Sequence, residues 1–266
     1  MGKPNVLVLA GFGINCEEET AAAFEMAGAE CEIVHVNDLV ESPKTLDDKQ
    51  VLVVPGGFSF GDDLGAGKAL ATVLKLKLGE QIQQFIERDT LVLGVCNGFQ
   101  VLVALGLLPA LYRSYQLPQA DLIANTSNRY TVRWVDVRMD GESPWLSGIE
   151  SMMLPIAHGE GRFYTSDDIL NQMKERNMVA FRYTEGEICR HFDLEANPNG
   201  SLDDIAGVTD ETGRILGMMP HPERAVDFTH LPHWTYLRER MRRSGDEVPS
   251  QGPGMAIFNN SVKYFL

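Results

Sequence analysis

Three groups of residues in this chain have the types and spacing for acyl-transfer chemistry. In Leu91-Val92-Leu93-Gly94-Val95-Cys96-Asn97-Gly98-Phe99-Gln100 an apolar run stops at a cysteine with glycine on either side, and a helical pattern follows over Phe99 to Leu108. Such a strand-to-helix elbow presents a nucleophile at its apex. The glycines allow the close backbone approach that the elbow requires. A thiol there faces the positive end of a helix, which favours thiolate over thiol. The bland alternative is a cysteine buried in a core, but a core cysteine has no use for the elbow glycines. The second group is His221-Pro222-Glu223, in which residues two apart on an extended segment project to one side. Glu223 can hold the imidazole in one tautomer while His221 moves the thiol proton. Taken alone this is a short motif that chance also produces; beside the elbow it completes a nucleophile–base–orienter set. The third is Val53-Val54-Pro55-Gly56-Gly57-Phe58-Ser59, whose paired glycines expose backbone N–H groups. Gly57 and the backbone N–H of Asn97 are the expected oxyanion donors.

Two further segments are candidates for lining the substrate site. Gln100 lies one helical turn after Cys96, so its amide can reach a bound acyl substrate. Ala157-His158-Gly159-Glu160-Gly161 carries a rival histidine. Lacking a carboxylate rigidly placed two residues away, His158 is assigned with Gly159 to the substrate lining or to a structural role.

The elements that must position these residues follow from periodicity. Strand-like runs at Val6–Ala10, Cys31–Val36, Val51–Pro55 and Leu91–Val95 alternate with helical patterns at Glu17–Ala27, Gly67–Arg88 and Phe99–Leu108. This is the pattern of βαβ units on a parallel sheet, whose strands read as continuous apolar runs because both faces are covered. After Leu111 shorter strands are expected at Tyr130–Met139, Met152–Ile156, Val179–Tyr183 and Gly207–Met219, adding to the same sheet in antiparallel fashion. Residues 1–266 read as one α/β domain, and the charged, proline-punctuated stretch 227–254 reads as a peripheral insertion before a last helix at Met255–Phe265. Two phosphate-binding motifs fail: Cys16 stands where a dinucleotide fingerprint needs its third glycine, and Gly61 to Lys68 lacks both the first glycine and the Ser or Thr of a phosphate loop.

A hydrophobic fraction of 44% with 23% charged residues is that of an ordinary globular chain. The formal net charge of −14 argues against nucleic acid as a partner. The one basic cluster, Arg238, Arg240, Arg242 and Arg243, is either a solvated helix face or a docking surface for an acidic partner. No apolar stretch approaches the length of a membrane span, and Val6–Ala10 reads as a first strand rather than a signal peptide. Four dispersed cysteines without a CxxC pair suggest neither a metal site nor a disulfide framework, and fit a reducing cytoplasm.

The elbow together with His221-Pro222-Glu223 resembles the class I (triad) glutamine amidotransferases. Pro55-Gly56-Gly57-Phe58-Ser59-Phe60-Gly61-Asp62, Gly13-Ile14-Asn15-Cys16, Pro155 to Gly161, Asn197-Pro198-Asn199-Gly200-Ser201 and Gly217 to Arg224 narrow the resemblance to the glutaminase (PurQ-type) subunits of phosphoribosylformylglycinamidine synthases. It covers the chain from the first strand to about Ala225. It implies a flavodoxin-like, three-layer α/β/α domain with a mostly parallel central sheet. It also implies a cysteine–histidine–glutamate triad of Cys96, His221 and Glu223 that hydrolyses L-glutamine through a γ-glutamyl thioester. The ammonia would pass to an ATP-dependent synthetase subunit (PurL type), often with a small bridging subunit (PurS type); ATP and magnesium would belong to that partner, and no cofactor to this chain. The 227–254 stretch departs from the compact form of such subunits and marks a candidate contact with the partner or with a second copy. A related hydrolase family with the same elbow places histidine directly after the cysteine, where this chain has Asn97. Two competing readings remain, a glutaminase serving GMP or CTP synthesis and a catalytically silent scaffold protein; the latter is disfavoured because no triad member is missing.

Overall fold

The computed structural model describes residues 2–266. Four apolar runs form β1 (Asn5–Ala10), β2 (Glu30–His35), β3 (Val51–Val54) and β4 (Leu91–Val95), separated by α1 (Glu17–Ala27), α2 (Val36–Glu41) and α3 (Lys68–Glu87). The helix α4 (Asn97–Ala104) follows β4 with only Cys96 between them. Every residue of β3 and β4 is buried, so both faces of the sheet are covered there. The helical layers include α1 packed on the C-terminal α8 (Met255–Tyr264), where Phe24 and Phe258 meet edge to face at 4.9 Å, and α3 packed on α4.

The second half of the chain supplies β5 (Asp121–Ile123), β6 (Thr131–Met139), β7 (Ser151–His158), β8 (Arg162–Tyr164), α5 (Asp167–Glu175), β9 (Val179–Thr184), α6 (Glu187–Phe192), β10 (Ile205–Thr209), β11 (Ile215–Met218) and α7 (Trp234–Ser244). The central sheet has the order β2-β1-β3-β4-β11-β10-β9-β6-β7, with β5 and β8 forming a separate pair. The first five strands are mutually parallel, and the remaining four join by antiparallel pairing. Thus β10 and β6 run against the parallel five, while β9 and β7 run with them. The antiparallel addition expected from sequence is present. One element differs: Gly207–Met219 is not a single strand but the hairpin β10–β11. Asp210 breaks the run by accepting hydrogen bonds from the Thr212 hydroxyl (2.7 Å) and the Ile215 amide (3.1 Å), closing a turn around Gly213.

Residues 227–254 carry α7, held by a small apolar cluster of Phe228, Leu231 and Leu237 with Trp134 and Met153. The arginines of this segment are engaged close to home. Arg240 pairs with Glu187 of α6 at 2.7 Å, Arg242 and Arg243 pair with Glu239 on their own helix, and Arg238 lies over the Trp234 ring. No described helix is long and apolar enough to cross a membrane.

Candidate active site

Register places the site. Val54 pairs with Gly94, and Val95 pairs with Met218, so β3, β4 and β11 end at the same edge of the sheet. The loops that follow them carry Gly56 and Gly57, Cys96, and His221. Together with the loop after β1 they converge outside the carboxyl ends of parallel strands, where open α/β sheets bind ligands. The Cys96 amide donates to the Met218 carbonyl at 2.8 Å, tying the elbow to the strand that delivers the histidine. The His221 amide in turn donates to the Pro155 carbonyl of β7 at 2.9 Å, which brings the His158 segment to the same edge.

Cys96 has φ 51° and ψ −106°, a conformation that non-glycine residues avoid. Strain of this kind costs on the order of 1–3 kcal/mol and persists only where the surroundings impose it. Here they do. Any Cβ at Gly98 would overlap the Val54 carbonyl oxygen, and one at Gly94 would sit 2.6 Å from the Leu102 side chain. The first turn of α4 therefore presses directly on the ends of β3 and β4. The Cys96 thiol is buried, with its sulfur 3.6 Å from the Ala157 carbonyl oxygen. Asn97 opens α4, so its N–H has no acceptor within the helix and stays free for an oxyanion.

His221 and Glu223 are both buried, and Nδ1 of His221 lies 2.5 Å from Oε1 of Glu223. Nε2 of His221 has no partner among the described residues. Burial disfavours the imidazolium, yet the Glu223 carboxylate and the Cys96 and Cys16 thiols outweigh it and hold the His221 pKa well above its ordinary value. The imidazole is thus set up to keep a proton taken from the cysteine. Gly56 makes room for it, since a Cβ there would lie 2.8 Å from Cε1 of His221. Gly57 has φ 150° and bridges to Ile14 of the loop after β1.

Cys96 lies at the junction of two small cavities. One, of about 120 Å³, is lined by Gly57, Asp62, Gln100, His158, Gly159 and Glu160; the other, of about 50 Å³, by Asn15, Cys16, Tyr130, His221 and Arg224. Every residue singled out from the sequence is therefore at this edge. Some are differently engaged than expected. The Gln100 amide donates to the Glu160 carbonyl at 2.5 Å and accepts from Asn97 at 2.9 Å, so the part left for a ligand is smaller than a free amide. The Asn97 side chain also donates to Asp62 at 3.2 Å and accepts from the Ser59 amide at 3.1 Å, bracing the 59–62 loop on the elbow. His158 is not a second base. Burial, followed by the proximity of His221, pushes its pKa down to about 4, and Nδ1 is 3.1 Å from Oδ1 of Asn125. Because Asn125 Nδ2 donates to the Arg129 and His158 carbonyls, its Oδ1 must face the ring, which fixes the hydrogen of His158 on Nδ1.

Sequence reasoning passed over Cys16, Tyr130, Asn125 and Arg224 as members of the site. The Tyr130 hydroxyl donates to the Ala157 carbonyl at 2.9 Å, and Arg224 contacts the Cys16 sulfur at 3.1 Å. Arg224 directly follows the His-Pro-Glu motif, and Cys16 sits in the loop after the first strand; those positions were the available signal.

The comparisons with known proteins agree with this arrangement. A family model described as the CobB/CobQ-like glutamine amidotransferase domain matches residues 3–265. A phosphoribosylformylglycinamidine synthase subunit PurQ from Methanococcus maripaludis is 43% identical over 265 residues, covering 98% of this chain and 97% of the relative. The chain belongs to the PurQ family. A PurQ subunit from Dehalococcoides mccartyi is 42% identical, with 99% of this chain and 98% of the relative covered. Among solved structures, a chain of the Thermotoga maritima PurLQS structure superposes with a TM-score of 0.72 at 30% identity, with both chains fully covered. A Thermotoga maritima glutamine amidotransferase, at 14% identity and a TM-score of 0.50 over 100% of this chain and 93% of that one, shares the fold. The fold is the flavodoxin-like α/β/α arrangement of class I glutamine amidotransferases.

Proposed function

We propose that this chain is the glutaminase subunit of a phosphoribosylformylglycinamidine synthase, acting through Cys96, His221 and Glu223. The observation that carries the reading is the buried His221–Glu223 pair set beside a cysteine held at positive φ on a strand-to-helix elbow. Cys96 Sγ, its proton passed to His221 Nε2, adds to the side-chain carbonyl carbon of L-glutamine. The oxyanion is received by the N–H groups of Asn97 and Gly57. His221 returns the proton to the departing nitrogen, ammonia leaves, and a γ-glutamyl thioester remains on Cys96. Water, deprotonated by the same imidazole, adds to the thioester and releases glutamate and the thiol. Glu223 keeps the imidazole oriented and balances its charge. Gln100, His158 and Gly159 line the cavity that receives the substrate.

The ammonia goes to a synthetase subunit of the PurL type, with a bridging subunit of the PurS type. That partner uses ATP and Mg²⁺ to convert formylglycinamide ribonucleotide to the amidine, and this chain needs no cofactor of its own. The reading places the protein in the cytoplasm, as one glutaminase domain over 1–266 with 227–254 as a peripheral insertion. The failed phosphate-loop matches and the carboxylate-rich surface are in keeping with this division of labour. The test is Cys96→Ala in the assembled complex. Glutamine-dependent synthesis is lost while ammonia-dependent synthesis continues; equal loss of both sinks the assignment of Cys96 as glutaminase nucleophile.

A further inference from the structure

The smaller cavity holds a second thiol that the reaction above does not use. Cys16 Sγ, a ring nitrogen of His221 and a carboxylate oxygen of Glu223 all lie within 4.8 Å of one another, and all three residues are buried. The spacing of the cysteines along the chain gave no hint of this, because Cys16 and His221 stand near opposite ends of the sequence. Two polar atoms of the cluster, Nε2 of His221 and Oε2 of Glu223, are buried without a partner among the described residues. Such atoms cost free energy unless something satisfies them. The cavity of about 50 Å³ is lined by Cys16 and His221 of the cluster and by Cys96. It exceeds the roughly 10–15 Å³ that one water needs.

We propose that Cys16, His221 and Glu223 form an inhibitory site for a thiophilic divalent cation, with Zn²⁺ as its type. One sulfur, one imidazole nitrogen and one carboxylate oxygen are the donors such a cation prefers, and hard cations such as Mg²⁺ prefer all-oxygen sites. Arg224, 3.1 Å from the Cys16 sulfur, favours the thiolate that a metal requires, while its own charge is answered by Glu19 at 3.1 Å. On binding, the cation replaces the Cys16 thiol proton and the proton on the ligating His221 nitrogen; both leave to water, and no electron moves. The bound cation takes the histidine and glutamate away from Cys96, so glutaminase turnover stops. This part of the inference rests on the glutaminase reading; the binding does not.

The test has two arms. In the first, the full chain competes for Zn²⁺ with a chromophoric chelator, alongside Cys16→Ser and Cys16→Ala, with Mg²⁺ as control. Both variants lose at least about tenfold in zinc affinity, since even an outer-shell partner of a metal ligand is worth roughly 10–100-fold, and Mg²⁺ does not compete. In the second, the assembled complex is assayed with glutamine and with ammonia at rising zinc, each rate normalised to the same variant's zinc-free rate. Zinc suppresses the glutamine-dependent rate of the unmodified complex alone, and the Cys16 variants shift that inhibition to at least tenfold higher zinc. The ammonia-dependent rate reports that the complexes are folded. Unchanged zinc affinity in both Cys16 variants overturns the site, and so does inhibition that falls equally on the ammonia-dependent rate. Absence of glutamine turnover in the zinc-free unmodified complex overturns the glutaminase reading alone, since the first arm still decides the site.

Discussion

Glu223→Gln isolates the charge of the His221–Glu223 pair from its shape. Glutamine keeps the volume of glutamate and an oxygen that can still accept from Nδ1, so the hydrogen bond survives while the negative charge goes. The side chains are 3% and 0% exposed, so solvent screens the pair little. An imidazolium and a carboxylate with charge centres about 4 Å apart attract by about 4 kcal/mol at an effective dielectric of about 20. Without the carboxylate the imidazolium that holds the Cys96 proton loses that attraction, and the loss enters the barrier to glutaminase turnover. At about 1.36 kcal/mol per tenfold, the glutamine-dependent kcat falls by roughly 10³. The assay is steady-state glutamate release by the complex, with the ammonia-dependent rate as internal control. A loss below tenfold would refute the argument that the carboxylate works through charge, and parallel loss with ammonia would place the damage in the fold.

Gly98→Ala forces a Cβ onto the Val54 carbonyl oxygen, and because the obstruction is backbone it cannot swing aside. Overpacking of this kind costs roughly 1–3 kcal/mol, which urea unfolding measures. Displacing Cys96 by about 1 Å lowers glutaminase turnover by about 10², and full retention of both properties would contradict the close approach. His158, with its pKa pushed down from 6.5 to about 4 by burial, is neutral when folded and takes a proton more readily when unfolded. Its contribution is therefore complete above about pH 6.5 and is lost as pH falls toward 4, by about 3 kcal/mol at about 1.36 kcal/mol per unit. Stability measured from pH 7 to 4 has a shallower slope in His158→Gln; an unchanged slope contradicts the assignment.

The parallel half of the sheet was legible because β3 and β4 are apolar at every position, a pattern that only strands covered on both faces need. The candidate triad was legible for a local reason: the elbow and His-Pro-Glu each carry their geometry within a few residues. The β10–β11 hairpin was hidden because Asp210-Glu211-Thr212-Gly213 interrupts two apolar runs too short to separate by periodicity. Cys16, Asn125 and Tyr130 belong to the site through register and loop convergence, which no spacing along the chain records. Of the two readings of the α7 arginines, the solvated helix face is what the structure shows: Arg240, Arg242 and Arg243 stay exposed while pairing with Glu187 and Glu239 of this chain.

The Pro155 carbonyl that accepts from His221 belongs to β7, the last strand of the sheet. In an antiparallel strand the N–H and C=O of one residue point the same way, so a different residue at 155 would aim a donor outward beside that carbonyl. Proline has none. Two residues on, the Ala157 carbonyl is occupied by the Tyr130 hydroxyl and the Cys96 thiol. An unpaired strand edge normally invites another chain to add to it. Here the last two outward carbonyls of that edge, at Pro155 and Ala157, are taken by the groups that hold the candidate thiol and its base, so the end of the edge nearest the site is closed to strand addition by the same hydrogen bonds that position the chemistry.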